Sequence, residues 1–253
     1  MNERLQRARQ IISLLDLTTL SGTETPEDID AFCLRAATVC GPVAALCVPL
    51  RHVARARAGL ARLGLTKVEV ATVANFPSGG LDLAASVSEI RDAVQQGATE
   101  VDLVLPYLAF LQGRESQVRA FLDTFRQECT VRLKVIIESG ILGGVEQIRA
   151  ASRLVLDCGA DFLKTSTGKA SVHATPEAAR TMLAVIAEIG GKAGFKASGG
   201  LRTMSDAQIY LELAEEIMGP AWIGPQTFRF GASSLLDDVL AVVAREGGCA
   251  GSA

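Results

Sequence analysis

Lys164 closes a short apolar run, Phe162-Leu163-Lys164, and leads straight into Thr165-Ser166-Thr167-Gly168-Lys169. A lysine where a strand meets its loop is partly desolvated. Such an amine can lose its proton and attack a carbonyl. Lys196 repeats the setting in Gly194-Phe195-Lys196-Ala197-Ser198-Gly199-Gly200. Two lysines on neighbouring strands suggest a Schiff-base enzyme, because one cation lowers the pKa of the other. Lys134 stands inside Leu133-Lys134-Val135-Ile136-Ile137, where a charge is expensive unless paired. Asp16 and Asp102 are its expected partners, and a purely structural Lys134–Asp16 ion pair is the plain alternative. In Glu100-Val101-Asp102-Leu103-Val104, alternation puts Asp102 and Glu100 on one face, with Glu100 nearer the start of the run.

These residues need elements to hold them. Short apolar, β-branched-rich runs at 12–18, 43–49, 67–75, 100–105, 132–138, 161–165, 194–197 and 227–231 read as eight strands. Amphipathic segments at 25–39, 52–63, 81–96, 115–129, 144–158, 176–189, 205–218 and 235–246 read as helices. Thr25-Pro26-Glu27-Asp28 and Thr175-Pro176-Glu177 carry a hydroxyl cap, a first-turn proline and acids at helix starts. Gly97 and Gly159 close helices just before strands. Eight βα units in one chain predict the α/β class: a single (β/α)8 TIM barrel spanning 1–253, with an extra N-terminal helix over 1–13 and a loose tail over 247–253. Chemistry in such barrels sits at the C-terminal strand ends. In order, those ends offer Asp16, Cys47, Asn75, Asp102, Glu138, Lys164, Lys196 and Gly231-Ala232-Ser233-Ser234. Cys47 reads first as plain packing, and Asn75 could simply shape the turn before Pro77.

Gly168-Lys169 invites a P-loop reading that fails, since Leu163 stands where the first glycine belongs and Ala170 where Ser or Thr belongs. Lys169 is better read as a cation facing a phosphate or solvent. Gly199-Gly200 and Gly231-Ala232-Ser233-Ser234 make the clearer anion site, because glycines admit backbone N–H groups and the second stretch opens a helix. A serine serving only as a helix cap would not explain the paired glycines one strand earlier. The remaining composition narrows the classes. Among 253 residues, 49% are hydrophobic, enough for a sizeable core, and the net charge of -3 gives no drive toward nucleic acid or acidic membranes. No apolar run approaches the roughly 20 residues of a membrane helix. The charged start, Met1-Asn2-Glu3-Arg4, lacks the core of a secretion signal. Cys33, Cys40, Cys47, Cys129, Cys158 and Cys249 form no Cys-x-x-Cys pair and read as free thiols in a reducing cytoplasm. His52 and His173 make no metal-ligand set and are expected at solvated positions.

Seven stretches, in order across nearly the whole chain, then resemble the bacterial deoxyribose-phosphate aldolases. They are Leu15-Asp16-Leu17-Thr18-Thr19-Leu20, Ala71-Thr72-Val73-Ala74-Asn75-Phe76-Pro77, Glu100-Val101-Asp102, Leu133-Lys134-Val135-Ile136-Ile137-Glu138, Asp161-Phe162-Leu163-Lys164-Thr165-Ser166-Thr167-Gly168, Phe195-Lys196-Ala197-Ser198-Gly199-Gly200 and Arg229-Phe230-Gly231-Ala232-Ser233-Ser234. The resemblance implies a class I aldolase with no metal and no cofactor. It would cleave 2-deoxy-D-ribose 5-phosphate reversibly to D-glyceraldehyde 3-phosphate and acetaldehyde. Lys164 would form the Schiff base, and Lys196 and Asp102 would move protons, with Asp16 and Lys134 orienting them. Substrate contacts are expected from Thr18, Cys47, Thr165 and Gly168, and phosphate contacts from Lys169, Gly199, Gly200, Gly231, Ser233 and Ser234. Some family members end in a tyrosine-bearing tail, whereas this chain ends Gly247-Gly248-Cys249-Ala250-Gly251-Ser252-Ala253. Partners are expected to be small phosphosugars and aldehydes; the oligomeric state stays open, with a homodimer as one option. The rival readings are another barrel aldolase or transaldolase, an acid–base phosphosugar isomerase, and a silent sugar-phosphate-binding protein.

Overall fold

Strands that are apolar along their whole length must be covered on both faces, which a parallel sheet wrapped in helices provides. The computed structural model, which describes residues 3–247, takes that form. Its strands are β1 (Leu15–Thr18), β2 (Ala45–Cys47), β3 (Glu69–Ala74), β4 (Glu100–Val104), β5 (Arg132–Ile136), β6 (Phe162–Lys164), β7 (Gly194–Ser198) and β8 (Phe228–Ala232). All pair in parallel with their neighbours in chain order, and β8 closes on β1. The expected (β/α)8 barrel is thus the fold.

The helices are α1 (Glu3–Ser13), α2 (Pro26–Leu34), α3 (Val53–Arg62), α4 (Leu83–Gln95), α5 (Tyr107–Leu111), α6 (Glu115–Glu128), α7 (Ser139–Leu142), α8 (Val145–Asp157), α9 (Pro176–Glu188), α10 (Met204–Met218) and α11 (Leu235–Arg245). The extra N-terminal helix is α1, packed on α11 and α10. Thr25 and Thr175 cap α2 and α9 through their side chains. Gly97 and Gly159 take positive φ after α4 and α8, where any Cβ would be strained.

Three local departures have physical causes. Because α1 runs to Ser13, β1 starts at Leu15 rather than near 12. The helix expected over 25–39 stops at Leu34, since 37–38 pairs with 41–42 in a small hairpin that Thr38 Oγ1 braces by donating to Gly41 O at 2.6 Å. The short helices α5 and α7 were not expected. Cys33, Cys47, Cys129 and Cys158 are buried free thiols, but Cys40 is disulfide-bonded and departs from the free-thiol reading. Cys249 and the expected tail from 248 onward lie outside the described residues.

Candidate active site

Register places the charged side chains. Lys164 on β6 lies opposite Ile136 on β5 and Lys196 on β7, so the two lysines stand side by side. Lys196 in turn lies opposite Arg229 on β8, and Asp102 on β4 opposite Lys134 on β5. All of these are buried.

Asp102 is the hub. Its Oδ2 accepts from Lys164 Nζ and from Lys196 Nζ, both at 2.8 Å, and its Oδ1 from Lys134 Nζ at 2.9 Å. Asp16 Oδ2 accepts from Lys196 and lies 3.4 Å from Lys134 Nζ. Lys134 reaches Glu100 Oε2 at 2.5 Å, so its nearest partner is Glu100 rather than either expected aspartate. Arg229, set between two phenylalanines of β8, completes the cluster. Its Nη1 donates to Asp16 Oδ1 at 2.5 Å and its Nη2 to Glu100 Oε1 at 2.9 Å. Sequence reasoning missed Arg229; the signal was a charge inside an apolar strand, as at Lys134.

The three lysines are held differently. Burial pushes Lys164 down; Asp102 opposes this, Lys196 adds to it, and the amine ends below its ordinary value. Burial also opposes the charge on Lys196, but Asp102 and Asp16 together hold it above the usual range. Lys134 is raised far more, by Asp102, Glu100 and Asp16 against the same burial. Burial opposes ionisation of Asp102 as well, yet Lys134, Lys164 and Lys196 hold it well below the usual carboxylate range. Lys164 is therefore the amine readiest to be neutral, and desolvation outranks the second cation as the reason.

A cavity of about 410 Å³ opens at the C-terminal end of the strands, lined by Thr18, Gly168, Lys169, Gly199, Gly200, Gly231, Ser233 and Ser234 among others. Eight of the expected substrate and phosphate residues are thus brought together. Cys47 and Thr165 are not on this lining. Both are buried in the interior, and the Thr165 hydroxyl donates to Ser198 O and accepts from Ser198 N, both at 2.9 Å. Ser234 precedes α11 but makes no side-chain cap bond, which leaves its hydroxyl available. Gly231 is required for space: a Cβ there would lie 2.8 Å from Lys196 Cε. Lys169 Nζ donates to Leu20 O at 2.9 Å across the mouth.

The loop after β6 is held from several sides. Thr167 N donates to Glu138, whose buried carboxylate projects from a residue at φ 53°. Asn75 adopts φ 54° and braces its turn by donating to Gly80 O and Val104 O, at 2.8 and 3.0 Å. Neither histidine is simply solvated. His52 is buried, its Nε2 2.9 Å from Glu24 O. His173 lines the cavity against Gly199 and Gly200, with Nδ1 buried and unpartnered among the described residues. Arg202, on the same lining, is a further cation that sequence reasoning missed.

A family model described as "DeoC/LacD family aldolase" matches residues 10–241. The chain belongs to this aldolase family. Among DeoC/LacD relatives, the deoxyribose-phosphate aldolase of Agrobacterium fabrum is 49% identical over 250 residues, covering 96% of each chain. A crystal structure from Coccidioides immitis, of a protein provisionally named deoxyribose-phosphate aldolase, superposes with TM-score 0.82 at 31% identity, over 93% of this chain and 86% of that one. The deoxyribose phosphate aldolase of Aeropyrum pernix, described as a unique tetramer, shares the fold with TM-score 0.75 at 22% identity, over 95% and 97% of the two chains. Among the described residues of this DeoC/LacD aldolase, no helix is long and apolar enough to cross a membrane.

Proposed function

We propose that this chain is a class I deoxyribose-phosphate aldolase, with Lys164 as the Schiff-base lysine. One observation carries the assignment: three buried lysines converge on Asp102, and of these only Lys164 is held below its ordinary pKa. Lys164 Nζ adds to the C1 aldehyde of open-chain 2-deoxyribose 5-phosphate, and loss of water gives an iminium. The C2–C3 bond breaks with its electron pair moving into the iminium. The C3 hydroxyl gives up its proton and becomes the carbonyl of glyceraldehyde 3-phosphate. The remaining enamine takes a proton at its terminal carbon, and hydrolysis releases acetaldehyde and free Lys164. Asp102 passes these protons, directly or through water, a role supported by its hydrogen bonds to both Lys164 and Lys196. Asp16 and Lys134 orient the pair.

The phosphate is assigned to Gly199, Gly200, Gly231, Ser233 and Ser234, with Lys169 and Gly168 beside it, and Thr18 at the end of β1, the strand paired with β8. Anchoring the far end of the sugar orients its reacting carbons. Cys47 and Thr165 contribute from the interior. A homodimer in the cytoplasm completes the reading. The exposed Leu34 and Val39, beside the small hairpin, offer apolar surface to a second copy, and sedimentation equilibrium reads the mass.

Borohydride reduction in the presence of 2-deoxyribose 5-phosphate, followed by peptide mass mapping, tests the central assignment. The expected result is one reduced adduct, on Lys164, with loss of activity. Turnover without an adduct would point to an acid–base isomerase, and an adduct on Lys196 would exchange the roles of the two lysines.

A further inference from the structure

Seven buried ionisable side chains form one connected set of ion pairs. Three are carboxylates, Asp16, Glu100 and Asp102, and four can be cations, Lys134, Lys164, Lys196 and Arg229. With Lys164 neutral the set carries no net charge. A proton on Lys164 leaves one positive charge uncompensated in the barrel interior, where it is costly. Arg132 also pairs with Glu100, but its side chain is 24% exposed and screened at the rim.

Two bridges run from Arg229 to the Lys164 amine. One passes through Asp16, Lys196 and Asp102, and the other through Glu100, Lys134 and Asp102. Asp102 from β4 meets Lys164 directly, and Lys196 from β7 shares that carboxylate. Asp16 from β1, Lys134 from β5, Glu100 from β4 and Arg229 from β8 stand further along the chain of ion pairs, and Cys47 is buried on β2. The uncharged Thr72 is buried on β3, and Glu138, just past β5, is turned to Thr167 N. None of the seven lines the cavity of the β6–β8 loops, and Arg229 and Glu100 differ from Lys196 and Lys134 in making no direct contact with Asp102.

We infer that Arg229 and Glu100 are positioning residues that fix the protonation state of Lys164 from a distance, by setting the net charge of the barrel interior. The inference rests on the Schiff-base reading of Lys164. Its signature is a pair of opposite signs. Removing the cation at 229 leaves the interior negative, so Lys164 keeps its proton to higher pH. Removing the anion at 100 leaves it positive, so Lys164 loses its proton at lower pH.

The test is kcat/KM for cleavage of unphosphorylated 2-deoxyribose against pH, which reports groups of the free enzyme and avoids titration of the sugar phosphate. Borohydride trapping on Lys164 is followed in parallel. R229M should move the acid limb up by about one pH unit, with about tenfold lower kcat/KM on that limb and recovery in alkali. E100Q should move it down by a similar amount. The double variant R229M/E100Q should return the limb to the wild-type position, and R229K should never leave it. A uniform loss at every pH with the limb unmoved, or displacement of both single variants in one direction, would overturn the inference. Should R229M fail to fold, the direction of the E100Q displacement decides alone. Absence of a Lys164 adduct in the wild-type protein removes the Schiff-base reading and this inference with it; an adduct with unmoved limbs removes only the inference.

Discussion

Lys164 and Lys196 share one carboxylate oxygen of Asp102 at the same 2.8 Å distance, so hydrogen bonding alone does not distinguish them. The difference lies in their other partners. Lys196 has Asp16 as a second carboxylate partner, whereas among the described residues Lys164 pairs with Asp102 alone. Lys164→Ala should therefore abolish imine formation and turnover while the protein stays folded, because Asp102 retains Lys134 and Lys196. Mass spectrometry after reduction and the circular dichroism melt check the two halves; measurable turnover through a folded variant would sink the assignment. Lys164→Arg should be equally inactive, since a guanidinium cannot be deprotonated in this range. Most of this centre is legible in the sequence, because charges inside apolar strands announce a partner. Lys134, Lys164, Lys196 and Asp102 all carry that signal. Arg229 carries it too, in Phe228-Arg229-Phe230, but it stands before the strand end where chemistry is sought. The preference of Lys134 for Glu100 is not legible, because one-dimensional alternation gives a face and not a distance.

At the scale of elements, the loops after β6, β7 and β8 converge on one cavity. Their convergence follows from the order of strands, which the sequence announces through its eight apolar runs. The short helices α5 and α7 are silent in the sequence, since four or five residues do not complete enough turns to show a period. Glu138 is among the residues the strand ends offer, but its φ of 53° has no local signal, since an acidic residue is held there by what surrounds it. Ser234→Asp would set a carboxylate against the bound phosphate. We expect KM for 2-deoxyribose 5-phosphate to rise by about tenfold or more, from one added repulsion in partly screened surroundings. Cleavage of unphosphorylated 2-deoxyribose should change little. Equal losses for the two sugars would remove the phosphate from this loop.

For the whole molecule, the buried charges tie folding to pH. Asp16, Glu100 and Asp102 are all held below their ordinary values by neighbouring cations, against the cost of burial. A carboxylate whose folded pKa is depressed stabilises the fold fully above its unfolded value, near pH 4, and this is lost as pH falls toward the folded value. The urea midpoint should hold steady from about pH 7 to 5 and fall steeply below about pH 4. Asp102→Asn, if it folds, should be less stable at neutral pH and less sensitive to acid. A wild-type midpoint that does not change between pH 5 and 3 would contradict the ion-pair account. In alkali the raised Lys134 and Lys196 act in the opposite sense, their contribution present below about pH 10 and lost above it.

Gly231, near the end of β8, and Ser234, just past it, sit three positions apart, yet they offer a protein engineer opposite prospects. Any side chain at 231 would collide with the methylenes of Lys196, so selection for altered substrates should return glycine there. The hydroxyls at 233 and 234 are exposed and line the same cavity. A mutagenesis library aimed at sugars without a phosphate should randomise those two positions and leave 231 untouched.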